Sequence, residues 1–452
     1  MATEQIATLP VREREEETSK VAVKKDETAG DKESKDEDEP LDPAKYIEAH
    51  ILPRLDDDVI DYYLNEVVKK ASTRVVGIDY IRANPEQFRN LISLDTGDGS
   101  FPRVATYTLA SEKDGAEFPV RVYHPDPAEH GPGPYPVHLN FHGGGFILGD
   151  LQTEAQLCLG MREAGVAVVD VNYRHCPETL WGKCFEDAWA ALLWTRASAE
   201  KLNINPDSVS LGGISAGGHI TIVMHFRARD AGIPLRLVMP TVPPAAGSLF
   251  YKYYTDSPHK SFHDLHRSPI LPWARIKYFA DIALDSVPDA VAGVVEGDSK
   301  ETIRDKRVAS LRELWPHEWL TPLDAPLERY RGLADAYVRT GEMDNLRDEG
   351  EAYGHRMVEA GGQVTFKRYP RSVHTFMYLD FTRQKRVYDI DSFVALRRAH
   401  GLAALAPEEV EKRIDRVMAA VKAKRVVEKD ALEAKKKAQG DAGKVDGDGA
   451  YA

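Results

Sequence analysis

The sequence predicts an α/β fold, a mostly parallel central sheet with helices on both faces, and three observations predict it. From about residue 137 onward, short apolar runs of strand character alternate with stretches of helical periodicity, the pattern of parallel strands joined by crossover helices. Glycine clusters stand directly after two of these runs, at 143–145 and 212–218. Loops bearing an acid and a histidine follow two later runs, at the carboxyl edge where open α/β sheets place their ligands.

Composition bounds the rest. A chain of 452 residues with 42% hydrophobic content can bury a substantial core as one large or two ordinary domains. A net charge of −13 with no basic stripe in the middle of the chain excludes a nucleic-acid partner, whose phosphates require clustered Lys and Arg. Cys158, Cys176 and Cys184 are too few for a disulfide framework, and none forms a Cys-x-x-Cys pair. No N-terminal run is apolar over the length of a signal peptide, and none later is long enough to span a bilayer. A cytoplasmic setting is expected.

Taken in order, residues 1–42 mix Glu, Asp, Lys and Thr without aromatics, too little apolar surface to offset the entropy of ordering, so an acidic disordered tail is expected. Over 43–94 the period turns helical, with Ile47, Ile51 and Leu55, then Ile60, Tyr63, Leu64 and Val67. Strands are expected at 105–109, 119–123 and 137–141, punctuated by clusters such as Gly131-Pro132-Gly133-Pro134. A helix over 152–163, a strand at 166–171, a helix over 185–202, a strand at 209–211, a helix to about 229 and a strand at 235–242 continue the alternation. It then lapses for about 90 residues, too long for an ordinary connection. This reads as an insert whose aromatics, Phe250, Tyr251, Tyr253, Tyr254, Phe262, Trp273, Tyr278, Phe279, Trp315 and Trp319, either line an apolar pocket or form a small core of their own. Strands resume at 334–339 and 364–369 around a helix over 345–360, and 383–405 adds a long helical region. Beyond Pro407, Val410, Ile414, Val417 and Val421 stripe a charged helix that either binds a protein partner or packs on its own domain, before a Gly/Asp-rich tail.

Gly213-Ile214-Ser215-Ala216-Gly217 has the form G-x-S-x-G between a strand and a helix. A strand turning sharply into a helix strains the backbone at the serine, and glycine two residues to either side avoids collision. The hydroxyl is pushed into open space, with the unpaired N–H groups of the helix start beside it. A serine hydroxyl needs a base within hydrogen-bond reach and a carboxylate to orient that base. In the chain order serine, acid, histidine, Ser215 is followed by Asp344 and His374; Glu342 and Asp348 are rivals for the acid. His142-Gly143-Gly144-Gly145-Phe146 offers backbone N–H groups with no side chain in the way. His259, His263, Asp264 and His266 have the spacing of ligands on one helix face, but no further carboxylate or cysteine follows with motif spacing, and no metal or cofactor is expected. His219 and His225 belong to the helix after the serine, and Cys176 has no base placed for it.

The glycine loop at His142, Tyr173-Arg174-His175-Cys176-Pro177-Glu178, the serine elbow, Asp344-Asn345-Leu346-Arg347-Asp348-Glu349-Gly350 and the loop from Pro370 to His374 together resemble the hormone-sensitive-lipase family of α/β hydrolases, over roughly 119–378. The resemblance implies an α/β-hydrolase catalytic domain over 95–405 with a cap insertion about 243–319 and an N-terminal helical cap segment at 43–94; the charged helical segment with a flexible tail at 406–452, read from its composition, follows it. It implies a catalytic triad of Ser215, Asp344 and His374, and an oxyanion hole from the N–H groups of Gly144, Gly145 and Ala216, each such donor typically contributing about 3–4 kcal/mol in the transition state. His142, Tyr173, Arg174, Pro177 and Glu178 would brace the glycine loop. Three departures stand out: Ile214 where the family has an acid, His175 and Cys176 where it has small or apolar residues, and Thr375 where it often has glycine. The expected activity is cleavage of a small-molecule carboxylic ester through an acyl-enzyme on Ser215. Amide or formamide hydrolysis, acyl transfer, or silent binding of a small ligand are the alternatives.

Overall fold

The computed structural model describes residues 40–69 and 77–442, with side chains through 428. The acidic stretch before Pro40 and the Gly/Asp-rich tail beyond 442 lie outside the described residues. Eight strands form one sheet: β1 Val104–Ala110, β2 Glu117–Tyr123, β3 Tyr135–Phe141, β4 Ala167–Val171, β5 Ile204–Ile214, β6 Leu237–Thr241, β7 Ala336–Gly341 and β8 Val364–Tyr369, in the order β1-β2-β4-β3-β5-β6-β7-β8. β1 and β2 run antiparallel to their neighbours, and the other six are mutually parallel. The predicted mostly parallel sheet is therefore present, with an antiparallel pair at one edge.

Parallel strands covered on both sides must be apolar on both sides. β4 shows this: Ala167, Val169 and Val171 enter one core and Val168 the other. The first core is closed by helices Lys183–Ala197 and Ala216–Asp230, through Phe185, Leu192, Ile220 and Val223. The second is closed by Ala155–Arg162, Arg383–Ala399 and Pro407–Ala442, through Leu159, Phe393 and Ile414. Val410, Ile414, Val417 and Val421 are all buried there, so the striped C-terminal helix packs on its own domain.

Several boundaries differ from the sequence expectation. β5 begins at Ile204, not 209, because Tyr135 pairs with Ile204 across a bulge, a contact between distant residues that periodicity does not report. The helix expected over 185–202 breaks at Ser198 and restarts as Ala199–Leu202. The helix expected over 383–405 stops at Ala399, where Gly401, at φ +67°, lets the Leu402 N–H turn back to the Arg397 carbonyl at 2.9 Å.

The segments before and within the sheet gather over its carboxyl edge. Ile47, Ile51, Leu55 and Val59 pack with Met343 and Val373, on the loops that follow β7 and β8. From the insert, Phe262, Leu271 and Ile276 pack with Leu346.

Under the sheet's centre lies a pair of buried acids. Asn140 of β3 donates from Nδ2 to Asp170 Oδ1 at 3.0 Å and to Glu154 Oε2 at 3.0 Å. Burial pushes the Asp170 carboxyl up to about 8 from its ordinary 3.8. The unfolded chain releases this proton near its ordinary value whereas the folded chain holds it, so stability is lost as pH rises between the two. Asp170→Asn removes that loss. Its stability relative to wild type should rise by up to about 1.4 kcal/mol per pH unit across the window, read by urea unfolding at pH 5 and pH 7.5. An unchanged difference between the two pH values contradicts the assignment.

Candidate active site

Ser215 sits where β5 turns into the helix Ala216–Asp230, at φ +55° and ψ −117°, a backbone region that non-glycine residues rarely occupy. The flanking glycines explain how the turn closes. A Cβ on Gly217 would lie 1.8 Å from the Phe141 carbonyl oxygen, and one on Gly213 would lie 2.3 Å from the Gly217 oxygen. The Ser215 N–H donates to Thr241 O of β6 at 2.9 Å, which ties the strained residue to the neighbouring strand.

His374 and Asp344 reach Ser215 from the loops after β8 and β7. His374 Nε2 is 2.9 Å from Ser215 Oγ, and His374 Nδ1 is 2.8 Å from Asp344 Oδ2. Asp344 is fully buried, and its other oxygen accepts the Leu346 N–H at 3.0 Å. The two rival acids are engaged elsewhere. Glu342 pairs with Arg54 at 2.8 Å and accepts the Arg371 N–H at 2.7 Å; Asp348 accepts the Ser261 N–H at 2.7 Å and pairs with Arg347 at 2.8 Å.

Gly144, Gly145 and Ala216 line the same cavity as Ser215 and His374. Gly144 stands at φ +135° and Gly145 at φ +63°; a Cβ would lie 2.0 Å from the Leu148 carbonyl oxygen at the first and 2.6 Å from the Phe279 ring at the second. Ala216 is the first residue of its helix, where N–H groups have no intrahelical acceptor. An oxygen placed over Ser215 would thus meet a concave backbone surface of partial positive charge.

The residues expected to brace the glycine loop are divided among several tasks. Tyr173 donates from its hydroxyl to the His142 carbonyl at 2.7 Å and stacks on the His142 ring at 4.5 Å. His142 is buried, which lowers its pKa, and is held by Gly143 O at 2.9 Å and Asn172 Oδ1 at 3.2 Å. Arg174 pairs with Asp187 and Asp114, away from the loop. Glu178 holds Arg82, which donates to the Ile147 carbonyl at 2.6 Å, so the N-terminal segment closes onto the loop through this pair. Of the insert's ten aromatics only Phe279 lines the cavity; Phe262 and Trp273 pack edge-to-face, and Trp315 stacks on Trp319. His263 and His266 are bound to the Ser257 and His263 carbonyls and do not converge with His259. His219 bridges the Pro244 and Trp319 carbonyls, and His225 meets the Tyr353 hydroxyl at 2.7 Å.

Glu154 escaped the sequence reading. Fully buried, it accepts the Gly143 N–H at 2.8 Å, the Asn140 amide and the Tyr378 hydroxyl, directly beneath the glycine loop. Burial raises its pKa to about 7. Ile214, by contrast, turns its side chain into the second core and makes no side-chain hydrogen bond, so polar support for the loop comes from Glu154. The available signal was a carboxylate at the head of the apolar run Leu157-Cys158-Leu159, with nothing local to pair it. Thr375, next to His374, stands at φ +53° and lines the cavity.

The chain is similar to several known proteins. A model of an α/β-hydrolase-fold family matches residues 138–378. An AB hydrolase superfamily protein of Schizosaccharomyces pombe is 27% identical over 367 residues, covering 78% of this chain and 96% of its own. An arylesterase of Saccharolobus solfataricus is 30% identical over 264 residues, 58% of this chain and 73% of its own, and the carboxylesterase NlhH of Mycobacterium tuberculosis is 28% identical over 330 residues, 72% and 90%. Among solved structures, a bacterial heroin esterase superposes with a TM-score of 0.60 at 25% identity, over 78% of this chain and 99% of its own.

Glu154→Leu leaves the Gly143 N–H and the Tyr378 hydroxyl without their acceptor and the Asn140 amide with only Asp170 of its two. The expected cost is at least about 2 kcal/mol in chemical unfolding. Wild-type stability in this variant would show that the loop does not depend on Glu154.

Proposed function

This chain belongs to the hormone-sensitive-lipase family of α/β hydrolases and is a carboxylesterase-type enzyme, and we propose that it cleaves carboxylic esters through an acyl-enzyme on Ser215. The observation that carries this reading is the chain of two short contacts from Asp344 through His374 to Ser215, opening on a cavity of about 580 Å³. His374 Nε2 takes the hydroxyl proton as Ser215 Oγ attacks the ester carbonyl, and Asp344 holds the ring and stabilises its positive charge. The N–H groups of Gly144, Gly145 and Ala216 receive the oxygen as it gains charge. The proton returned by His374 leaves with the alcohol, after which water, activated by the same ring, releases the acid.

Residues 43–94 and the insert at about 243–319 act as the cap. What supports this is their share of the cavity wall: Ile81 and Phe88 from the first, Leu249, Ile276 and Phe279 from the second. A cap of this kind excludes water and selects among esters by shape. The setting is cytoplasmic: all three cysteines are free and buried, consistent with a reducing compartment, and no helix among the described residues is long and apolar enough to cross a membrane.

Ser215→Ala should lower kcat toward 4-nitrophenyl esters by roughly 10³-fold or more while the unfolding midpoint stays close to wild type. A fluorophosphonate probe should label wild type and not the variant. Ester turnover near the wild-type rate in Ser215→Ala would overturn the nucleophile assignment, and a folded wild type that resists the probe would favour a binding-only role.

A further inference from the structure

The cavity over Ser215 is lined by four arginines, and three of them are matched by carboxylates. Arg82 pairs with Glu178 at 2.7 Å, Arg89 with Asp150 at 2.9 Å, and Arg174 with Asp187 at 2.6 Å. The fourth, Arg275, has no carboxylate partner among the described residues; its one hydrogen bond runs from Nη1 to the Ile270 carbonyl at 2.6 Å. The ionisable groups that act on it are the phenols of Tyr62, Tyr63 and Tyr278. Its side chain is exposed, yet crowding by the surrounding protein holds its pKa below the usual arginine value. The two facts fit a guanidinium that faces cavity water inside a protein wall.

Its place on the chain makes the missing partner more telling. Arg275 lies in the first turn of the helix Trp273–Asp285, whose N-terminal dipole end repels a cation. Partial desolvation also disfavours a bare charge. An anion bound at this point reverses both terms. Four residues further on, Phe279 packs over Gly145 from the same helix, so Arg275 stands about one helical turn, roughly 6 Å along the axis, from the residue that covers the glycine loop.

Resting on the ester-hydrolase reading above, we propose that Arg275 recognises a carboxylate on the substrate, so that the enzyme prefers esters with an apolar body and an anionic end. A single guanidinium fork matches one carboxylate in a bidentate pair. A phosphate dianion would call for a second unmatched cation, and Arg82, Arg89 and Arg174 are already engaged. The rest of the wall near Arg275, including Ile270, Leu271, Ile276 and Phe279, is apolar and suits the uncharged part of such a substrate.

The test uses isosteric carboxylate and carboxamide pairs, with the charge on the acyl side (4-nitrophenyl adipate monoester against its adipamate) or on the alcohol side (4-acetoxybenzoate against 4-acetoxybenzamide). In wild type, kcat/KM for the carboxylate member of one pair should exceed that of the carboxamide by at least tenfold. Arg275→Met should collapse that ratio by at least tenfold, and Arg275→Lys should restore part of it. Had the guanidinium served only to hold the Ile270 carbonyl, both members would fall together and the ratio would not move, which overturns the proposal. Binding of the same pairs to Ser215→Ala, by calorimetry with and without Arg275→Met, separates the two readings. No turnover of any ester by wild type sinks the hydrolase reading, whereas equal binding of carboxylate and carboxamide in both pairs sinks the role of Arg275.

Discussion

The contact on which the site depends is between the backbone at Gly217 and the carbonyl of Phe141, so close that a Cβ on the glycine would stand 1.8 Å from that oxygen. β3 and β5 are parallel neighbours with Phe141 opposite Gly213, so both end at the same edge of the sheet. The helix that leaves β5 starts against the end of β3, and β3 continues into the glycine loop. Strand register therefore brings the first amide of one helix beside Gly144 and Gly145. The strain at Ser215 is the local consequence of this approach, and the Thr241 carbonyl on β6 helps to hold it.

The buried acids differ in what they hold. Glu154 and Asp170, with Glu349 beyond them, are buried where the charged form is penalised, and their pKa values rise to about 7, 8 and 8. They act as hydrogen-bonding supports: Glu154 for the Gly143 N–H, Glu349 for the Ala245 N–H. Asp344 is equally buried and holds His374 with one oxygen and the Leu346 amide with the other. The arginines of the cavity show the same economy of pairing, and this is what makes Arg275 stand apart.

The cavity over Ser215 is walled in part by stretches of the chain far from it in sequence. Ile47, Ile51 and Leu55 seat the N-terminal segment on the loops that carry Asp344 and His374, and Arg82 ties it to Glu178 near the glycine loop. From the insert, Phe279 packs over Gly145. The site is therefore assembled from the sheet edge below and two separate stretches above.

Local pattern by itself determined the eight strands, the crossover helices and the elbow, because each is written in neighbouring residues: apolar alternation, helical spacing, and glycines where a Cβ would collide. It also brought Ser215, Asp344 and His374 forward as candidates, since loops after parallel strands share one edge. It favoured Asp344 over its rivals Glu342 and Asp348, two to four residues away, but could not show why, since the difference lies in partners such as Arg54 and Ser261 far along the chain. Nor could it find Glu154 beneath Gly143, separate Phe279 from the other aromatics, or set Arg275 apart from three paired arginines. Those were decided only by tertiary structure, because burial and pairing depend on distant residues brought together by packing, and no period along the chain encodes that meeting.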